Sequence, residues 1–493
     1  MRVALHWFRR DLRLADNTAL AAATHDAEAV IPVVVLDDAL LATLSAPARA
    51  VLAGALTDLS ERLACDGAAR LIVRVGDTAE ELARLARQVD AEAVYANRSE
   101  GSQAHATERA VAERLLASGA PLHLYDDLGV LAPDDVLSNA HTPYTVYTPY
   151  SRRWRELVSA APPREHDLRT AALIAAAPLT ADLGATQSEA LDGRQSNQLD
   201  SWRARWGGGR TAHLAQLRAF IADDLAGYAT RRDLPAEPGT SRLSAALRWG
   251  TLSAREALRA AQAWASEHPE ARAGADTWIG ELAWADFFRA LLHFFPRSER
   301  DSFRPAYDSI VWQGRNDHLA RWQEGQTGYP FVDAGMRQLR SEGWMHNRVR
   351  MVVASFLVKD LLLDWRLGER HFMQSLADGA VSANVGNWQW VASSGADAQP
   401  WFRIFNPTTQ GRKFDPNGDY VRRYVPELAR IPASVIHEPW TLGADEQQRL
   451  GTRIGREYPA PIIDHSAQRI RALVMFKTAT AKQAERPPSD EEG

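Results

Sequence analysis

Short apolar runs alternate with amphipathic stretches over the first 130 residues of the chain. Five of the runs are typical of buried strands: VALHWF, AVIPVVVL, ARLIVRV, AEAVYAN and PLHLYD. Between them, residues 47–65, 77–89 and 103–117 are rich in Ala, Leu, Arg and Glu and have helical spacing. Strands that alternate with helices indicate a parallel sheet covered on both faces. The pattern therefore predicts a Rossmann-like α/β domain over residues 1–130.

The pattern changes after residue 130. Residues 131–200 contain HTPYTVYTPY, APPREHD and an Ala/Thr/Gln/Ser-rich stretch. This composition predicts an interdomain connector with one short helix near residues 151–157. From residue 201 onward the periodicity is almost entirely helical, so we expect a large all-α domain over 201–475. The end of the chain, with ERPPSDEEG, predicts a disordered tail over 476–493.

Composition narrows the class of protein. The chain has 493 residues, of which 45% are hydrophobic and 24% charged, and this excludes a mainly disordered chain. Its single cysteine, Cys65, excludes an intramolecular disulfide and favours a reducing compartment. No apolar run reaches the roughly 18 residues of a membrane helix, and arginines interrupt the first segment, where a signal peptide is apolar. We therefore expect a cytoplasmic protein with no membrane part.

Charge is divided unevenly along the chain. The formal net charge is −5, yet residues 1–130 hold 13 arginines and no lysine against 19 acidic residues. Residues 201–430 hold 30 basic and 25 acidic residues. A basic region on an acidic protein can direct a polyanion to one face, and scattered solvated charge is the alternative interpretation.

Candidate chemistry begins in the helical region. In WIGELAWADFF, Trp278, Glu281, Trp284 and Phe288 share one helical stripe, as their spacing of three and four residues requires. An unpaired carboxylate is expensive to bury, so a stripe that contains Glu281 is better explained by a cleft than by a core.

Other segments give weaker indications. In YATRRDLPAEPGTSRLS, Thr240 and Ser241 follow a Pro-Gly turn where we expect a helix to begin, which suits either an anion site or a plain N-cap. Arg350, in WMHNRVRM, needs an anionic partner, and Asp378 is the candidate. Metal-ligand spacing is absent among the 14 histidines, and the sequence has no H-E-x-x-H, G-x-x-x-x-G-K-[ST] or G-x-S-x-G motif, so we expect no metal site.

Several long motifs, in order along the chain, closely resemble the DNA photolyase/cryptochrome family. They are LHWFRRDLRLADNTAL, GTSRLS, TGYPFVDAGMRQL, WMHNRVRMVVASFLVKDLLLDWRLGERHF and NWQWVASSGADAQPWFRIFNPTTQ. WMHNRVRM and FRIFNPTTQ look like the class I cyclobutane pyrimidine dimer branch. The resemblance implies an α/β domain followed by an all-α FAD-binding domain. It also implies light-driven repair, in which excited reduced FAD passes an electron to a dimer flipped out of DNA.

The resemblance assigns roles residue by residue. It implies that the FAD-binding residues are Tyr228, Thr240, Ser241, Arg242, Leu243, Ser244, Trp278, Asn347, Arg350, Asp378, Gly379, Ala380 and Asn384. It implies dimer and DNA contacts at Arg232, Glu281, Trp284, Asn347, Arg348, Met351, Trp390, Arg403 and Gln410. Glu281 and Asn384 would be catalytic, and the electron-transfer chain would be Trp312, Trp365 and Trp388. Trp388 and Trp390 are two residues apart, so on a helix they would point to opposite sides.

Departures from the family pattern limit what the resemblance implies. Ala285 and Ala380 stand where many relatives carry an arginine and a second acid, so one flavin contact at each position is in question. Gln103 and Ala104 replace the Asn-Glu pair of folate binders, which predicts poor folate binding and leaves a deazaflavin or no antenna as alternatives. We expect a monomer that binds damaged DNA.

Two other functions are alternatives to repair. One is a cryptochrome-like blue-light photoreceptor, against which Asn384 and the dimer-pocket residues argue. The other is a non-catalytic nucleotide-binding module, against which the absence of G-x-G-x-x-G after the first strand argues.

Overall fold

A computed structural model of the protein describes residues 1–65, 70–176 and 196–484. The chain divides into two compact units. Unit 1 comprises Met1–Ala229, Thr240–Pro296 and Leu376–Ala383, and unit 2 comprises Thr230–Gly239, Arg297–Ser375 and Asn384–Gly493. Because compactness groups segments that are distant along the chain, the linear division at residues 130 and 200 stays a prediction.

Unit 1 contains a five-stranded parallel sheet with the strand order β3-β2-β1-β4-β5. Its strands are β1 Val3–Trp7, β2 Ala29–Leu36, β3 Ile72–Val75, β4 Ala93–Asn97 and β5 Leu122–Tyr125. The predicted Rossmann-like sheet is thereby confirmed. Each residue of β2 is buried, as expected for a central parallel strand with helices on both faces. Along β1, Leu5 and Trp7 join one hydrophobic cluster and Ala4 the other, because successive side chains alternate between faces.

Helices account for most of the remaining described residues. Before residue 300 they are α1 Thr18–Asp26, α2 Asp38–Thr43, α3 Ala46–Cys65, α4 Thr78–Gln88, α5 Ser102–Leu116, α6 Tyr147–Ala160, α7 Thr170–Ala176, α8 Ser196–Trp206, α9 Gly209–Asp223, α10 Tyr228–Arg231, α11 Ser244–Trp249, α12 Ala254–Glu267 and α13 Arg272–Phe294. After it they are α14 Asn316–Glu324, α15 Pro330–Glu342, α16 Asn347–Ser355, α17 Trp365–Met373, α18 Val381–Ala392, α19 Pro407–Phe414, α20 Asp419–Tyr424, α21 Ala444–Leu450 and α22 His465–Ala484.

Shorter helical turns complete the described secondary structure. A π-helical turn, Phe356–Asp360, continues α16. The 3₁₀ turns are Pro133–Asp135, Pro269–Ala271, Pro296–Glu299, Pro305–Ser309, Pro426–Leu428 and Pro439–Thr441.

The segment predicted as a connector contains more structure than the one short helix expected. That helix, α6, is twice as long as predicted, and α7 and α8 follow it. Leu173 of α7 is buried in the cluster beneath β2. The prediction missed α7 because its helical character depends on packing against the sheet and not on a repeated amphipathic pattern. Residues 177–195 of the connector lie outside the described residues.

The expectation of a disordered tail from residue 476 is wrong for its first part. Helix α22 continues to Ala484, because Met475, Phe476 and Ala479 are buried and hold it against the rest of unit 2. The Ala-, Lys- and Gln-rich composition of this segment also suits a helix. Residues 485–493 lie outside the described residues.

Candidate active site

The predicted phosphate-side segment of unit 1 is a turn that leads into α11. The helix begins at Ser244, three residues later than the expected start at Thr240 and Ser241. Arg242 explains the difference, because its φ of +51° is left-handed and cannot belong to the helix. The turn is held from two sides, since Gln216 Nε2 donates to the Ser241 carbonyl at 2.7 Å and Trp278 Nε1 to Ser241 Oγ at 3.3 Å.

An aromatic row lies beside this turn. The Phe220 ring lies between two rings that the resemblance assigned to FAD, at 5.8 Å from Tyr228 and 5.5 Å from Trp278, measured between centroids. All three side chains are buried. Phe220 was missed from the sequence because an apolar residue in the middle of α9 has no local feature that separates it from ordinary core.

Asp378 lies in the same unit. It accepts a hydrogen bond from Ser244 Oγ at 2.5 Å, which links two predicted FAD contacts that are 134 residues apart. The main chain just before Asp378 is also fixed, because Arg248 Nη1 donates to the Ala377 carbonyl at 3.1 Å. Burial lowers the pKa of Arg248 to about 9. Gly379 and Ala380 continue this loop up to α18.

The stripe on α13 carries the unit 1 part of the predicted dimer pocket. Trp284 is half-buried and stacks on Tyr147, with 3.5 Å between ring centroids and 9° between planes. Tyr147 is fixed in turn, because its hydroxyl donates to the Gly280 carbonyl at 2.9 Å. Glu281, one turn before Trp284, is half-buried. Tyr147 belongs to the Tyr-rich segment HTPYTVYTPY, which the sequence analysis noted. Its stacking partner Trp284 lies 137 residues further along the chain, so the sequence did not reveal the contact.

In unit 2, Asn384 is held by Glu369. Its Nδ2 donates to Glu369 Oε1 at 2.8 Å and to the Glu369 carbonyl at 3.0 Å. Two acceptors on one side require the NH₂ group there, so Oδ1 points away from Glu369. Burial raises the pKa of Glu369, while the hydrogen bond from Asn384 lowers it in part. Glu369 is a functional candidate that the sequence did not reveal.

The predicted electron-transfer tryptophans all lie in unit 2. Trp365 and Trp388 are buried, at 1% and 2% exposure, and Trp312 is half-buried. The Trp388 ring packs tightly on Gly368, where an added Cβ would lie 2.1 Å from it, so this position has to be glycine. Trp390, two residues on in α18, is half-buried, and the opposite orientation of the two rings stays a prediction. Trp322, which the sequence did not single out, is buried 6.2 Å from Trp388 between ring centroids.

The first turns of α16 carry four predicted residues. His346 caps the helix by accepting from the Arg348 amide at 3.2 Å. Asn347 is exposed, Met351 is half-buried, and Arg350 Nε donates to the Met345 carbonyl at 2.8 Å. The expected pairing of Arg350 with Asp378 stays a prediction.

Arg348 is bound by an acidic residue that the sequence analysis overlooked. Its Nε and Nη2 donate to the two carboxylate oxygens of Asp233, at 3.2 and 2.9 Å. Its guanidinium also lies 4.5 Å above the centre of the Phe414 ring. Of the other predicted DNA contacts in unit 2, Arg403 is exposed, and Arg232 and Gln410 are half-buried.

The loop that leads to Arg403 is anchored from beneath. The fully buried Lys359, in the π-helical turn, donates to Ser393 Oγ and to the Arg403 carbonyl, both at 3.0 Å. Burial lowers the pKa of Lys359 to about 7. Next to it, the buried Asp360 contacts His465 Nδ1 at 2.6 Å, and burial raises the pKa of Asp360 to about 6.

Unit 1 also contains an open cleft of about 610 Å³ beside the carboxyl ends of β4 and β5. Its charged lining residues are Arg98, Glu100, His105, Asp126, Asp127, Arg255, Arg289 and His293. Gln103 and Ala104, on which the folate prediction depends, are not among its lining residues, although His105 is.

The described residues contain neither a cluster that could hold a metal ion nor a helix that could span a membrane. In 1–65, 70–176 and 196–484, no group of three or more His, Cys, Asp or Glu is placed to hold a metal ion. No helix in these ranges is long and apolar enough to cross a membrane.

The fold and the site residues define a class: an α/β sheet domain combined with a helical flavin-binding region. The profile of the DNA photolyase domain matches residues 4–168, and that of the FAD binding domain of DNA photolyase matches residues 278–478. The chain belongs to the DNA photolyase/cryptochrome family, which confirms the resemblance.

Curated relatives match over almost the whole chain. A deoxyribodipyrimidine photo-lyase of Escherichia coli is 40% identical, and the match covers 97% of this chain and 99% of the relative. One of Halobacterium salinarum is also 40% identical, over 96% of this chain and 99% of the relative.

Solved structures agree on the fold. A class III photolyase from Agrobacterium tumefaciens has a TM-score of 0.88 at 36% identity, covering 97% of this chain and 98% of its own. A cryptochrome from Synechocystis has a TM-score of 0.86 at 28% identity, and the match covers 96% of this chain and 99% of the cryptochrome chain. The resemblance to the class I branch in particular stays a prediction.

Proposed function

We propose that the chain is a light-driven DNA repair enzyme, a carbon–carbon lyase that splits cyclobutane pyrimidine dimers with FAD as its resident cofactor. Relatives named deoxyribodipyrimidine photo-lyase, matched over 99% of their length, support this function. Within the chain, the observation that supports it best is the orientation of Asn384 by Glu369. A neutral amide oxygen tolerates an anionic reduced flavin, whereas a carboxylate at that position would be repelled by it.

FAD, when bound, supplies the light-excited electron donor. The residues present fit this cofactor. Asn384 Oδ1 makes no hydrogen bond within the described residues and would be available to accept one from a donor on the bound cofactor. The remaining proposed FAD contacts are Tyr228, Thr240, Ser241, Arg242, Leu243, Ser244, Trp278, Asn347, Arg350, Asp378, Gly379 and Ala380.

The chain's own groups bind the dimer. Trp284 offers a flat aromatic surface for an extruded base, and its stack on Tyr147 fixes the plane of that surface. Glu281, when it carries a proton, would donate a hydrogen bond to a carbonyl of the dimer and stabilise negative charge that develops there. Asn347, Arg348, Met351 and Trp390 complete the proposed dimer contacts, and Arg232, Arg403 and Gln410 bind the DNA backbone.

Trp312, Trp365 and Trp388 would conduct an electron from an external reductant toward oxidised FAD and so return the cofactor to its reduced state. Indole is the most easily oxidised aromatic side chain, and two of the three rings are fully buried, which excludes water from them. This role is separate from repair itself.

Repair is tested directly with the purified holoenzyme. It is incubated with an oligonucleotide that contains one thymine dimer, and half of the sample is exposed to blue light. We expect loss of the dimer in the light only, and Glu281→Ala lowers the yield while FAD content stays the same. Dimers that persist in the light with the flavin fully reduced would overturn the proposed function.

A blue-light photoreceptor without repair activity is the second candidate, since a cryptochrome is among the structural neighbours. The same experiment separates the two, because a photoreceptor changes its flavin spectrum in light and leaves the dimer intact. We also propose that the protein acts as a monomer in the cytoplasm, which size-exclusion chromatography with light scattering tests for the oligomeric state.

A further inference from the structure

Asp233 and Arg348 form a two-point ion pair within unit 2. Nε and Nη2 of the guanidinium face Oδ1 and Oδ2 of the carboxylate, at 3.2 and 2.9 Å. This arrangement fixes the plane of the guanidinium as well as its position. In the described part of the chain, Asp233 makes its side-chain hydrogen bonds to Arg348 alone.

Other groups hold the same guanidinium. Its carbon lies 4.5 Å from the centre of the Phe414 ring, and Nη1 lies 3.6 Å from Met351 Sδ. The backbone of Arg348 is fixed where His346 caps α16. The guanidinium is therefore held by Asp233 along one edge and by Phe414 on one face. The edge that carries Nη1 has only the weak contact with Met351 Sδ.

The pair is only partly shielded from solvent. The side chains of Arg348 and Asp233 are 21% and 35% exposed, and we expect a modest contribution to folding from their two-point geometry. A carboxylate next to a DNA-binding arginine weakens the attraction of that region for DNA. The ion pair nevertheless fixes the rotamer of Arg348 before DNA binds, so less conformational entropy is lost on binding.

We propose that Asp233 is a positioning residue that sets discrimination between damaged and undamaged DNA by aiming the free edge of Arg348 at the flipped-out dimer. This inference rests on the proposed function. The loss of attraction caused by Asp233 applies to any DNA, whereas the benefit of an aimed guanidinium applies only when a dimer occupies the pocket. Asp233 therefore raises the ratio of the two affinities.

The test measures the affinity of the holoenzyme for a dimer-containing oligonucleotide and for its undamaged twin. With Asp233→Asn we expect affinity for damaged DNA to fall about tenfold, while affinity for undamaged DNA is unchanged or tighter. Asp233→Glu retains the charge, so we expect it to keep part of the wild-type ratio between the affinities for damaged and undamaged DNA. Adding Asp233→Asn to Arg348→Ala brings no further loss, because the aimed group is already absent.

A matched control is available in the same unit. Asp317 binds Arg315 through the same two-point geometry, at 2.9 and 2.8 Å, on an exposed surface. Asp317→Asn should leave both affinities unchanged, and FAD content checks that each variant is folded.

Different failures have different meanings. If Asp233→Asn tightens binding to both DNAs equally, Asp233 is merely a competitor of phosphate and the inference is overturned. Additive losses in the double variant overturn it as well. If instead the wild type binds damaged DNA selectively but never splits the dimer in light, the proposed function fails while the role of Asp233 in selectivity stands.

Discussion

Glu369 orients the amide of Asn384 through two hydrogen bonds, one to its carboxylate at 2.8 Å and one to its carbonyl at 3.0 Å. The amide cannot rotate without placing its oxygen against two other oxygens. The side chain on which the proposed flavin chemistry depends is therefore fixed by a residue 15 positions earlier in the chain.

Glu369→Gln should release this orientation, because the glutamine amide can donate to Asn384 as well as accept from it. The oxygen of Asn384 then no longer faces the flavin reliably, and we expect reduced flavin to reoxidise several-fold faster in air. Absorbance at the oxidised flavin band after photoreduction measures this rate. Glu324→Gln, an exposed residue of α14, serves as the control and should reoxidise at the wild-type rate.

Trp388 and Trp390 should separate into two functions. Trp388→Phe should slow light-driven reduction of oxidised flavin, because phenylalanine is much harder to oxidise, and leave dimer binding intact. Trp390→Ala should leave photoreduction intact and weaken binding of damaged DNA by roughly 5- to 150-fold, the cost of about one base–aromatic stack. Flavin bleaching in light and binding to a dimer-containing oligonucleotide are measured on both variants. If both variants fail in the same assay, the two tryptophans form one structural cluster.

DNA binding should depend on salt despite the net charge of −5. Released counterions make the logarithm of affinity fall linearly with the logarithm of salt concentration. Arg348→Ala should weaken binding to damaged DNA, and Arg403→Ala, at a proposed backbone contact, should reduce the slope by about 0.9. Equal affinity at low and moderate salt would contradict a phosphate-binding face.

Lys359 and Asp360 should make opposite contributions to the change of stability with pH. Asp360, with a pKa raised by burial to about 6, binds more protons folded than unfolded, so stability falls between about pH 4 and 6. Lys359, with a pKa lowered by burial to about 7, binds fewer protons folded, so stability rises between about pH 7 and 10. The upper limit of that rise is roughly 4–5 kcal/mol in the free energy of unfolding.

Urea unfolding at a series of pH values measures both limbs. Lys359→Met should remove the rising limb. Asp360→Asn should reduce the falling limb and leave the part due to Asp415, whose pKa burial also raises to about 6. A rising limb that persists in Lys359→Met would show that another group is responsible.

Folate should not co-purify in near-stoichiometric amount. Ala104 lacks the carboxylate that a pterin ring needs as a strong acceptor. The absorption spectrum of protein purified from a folate-sufficient host checks this, and a strong methenyltetrahydrofolate band would contradict it.

The sequence alone determined the features that depend on neighbours along the chain. The five apolar runs became the five strands, and the stripe of Trp278, Glu281 and Trp284 lies on one helix, α13. These predictions succeed because strand and helix periodicity is a local property. The long motifs indicate the family for a different reason. Resemblance between two sequences can be recognised without any knowledge of the fold.

Only the tertiary structure decided which groups meet. Asp233 binds Arg348 across 115 residues, and Tyr147 stacks on Trp284 across 137. Neither Asp233 nor Tyr147 has a local pattern that marks its partner, because such a contact depends on the path of the whole chain. For the same reason α7 and the end of α22 were missed, since both are held by burial against distant segments, which no local pattern shows.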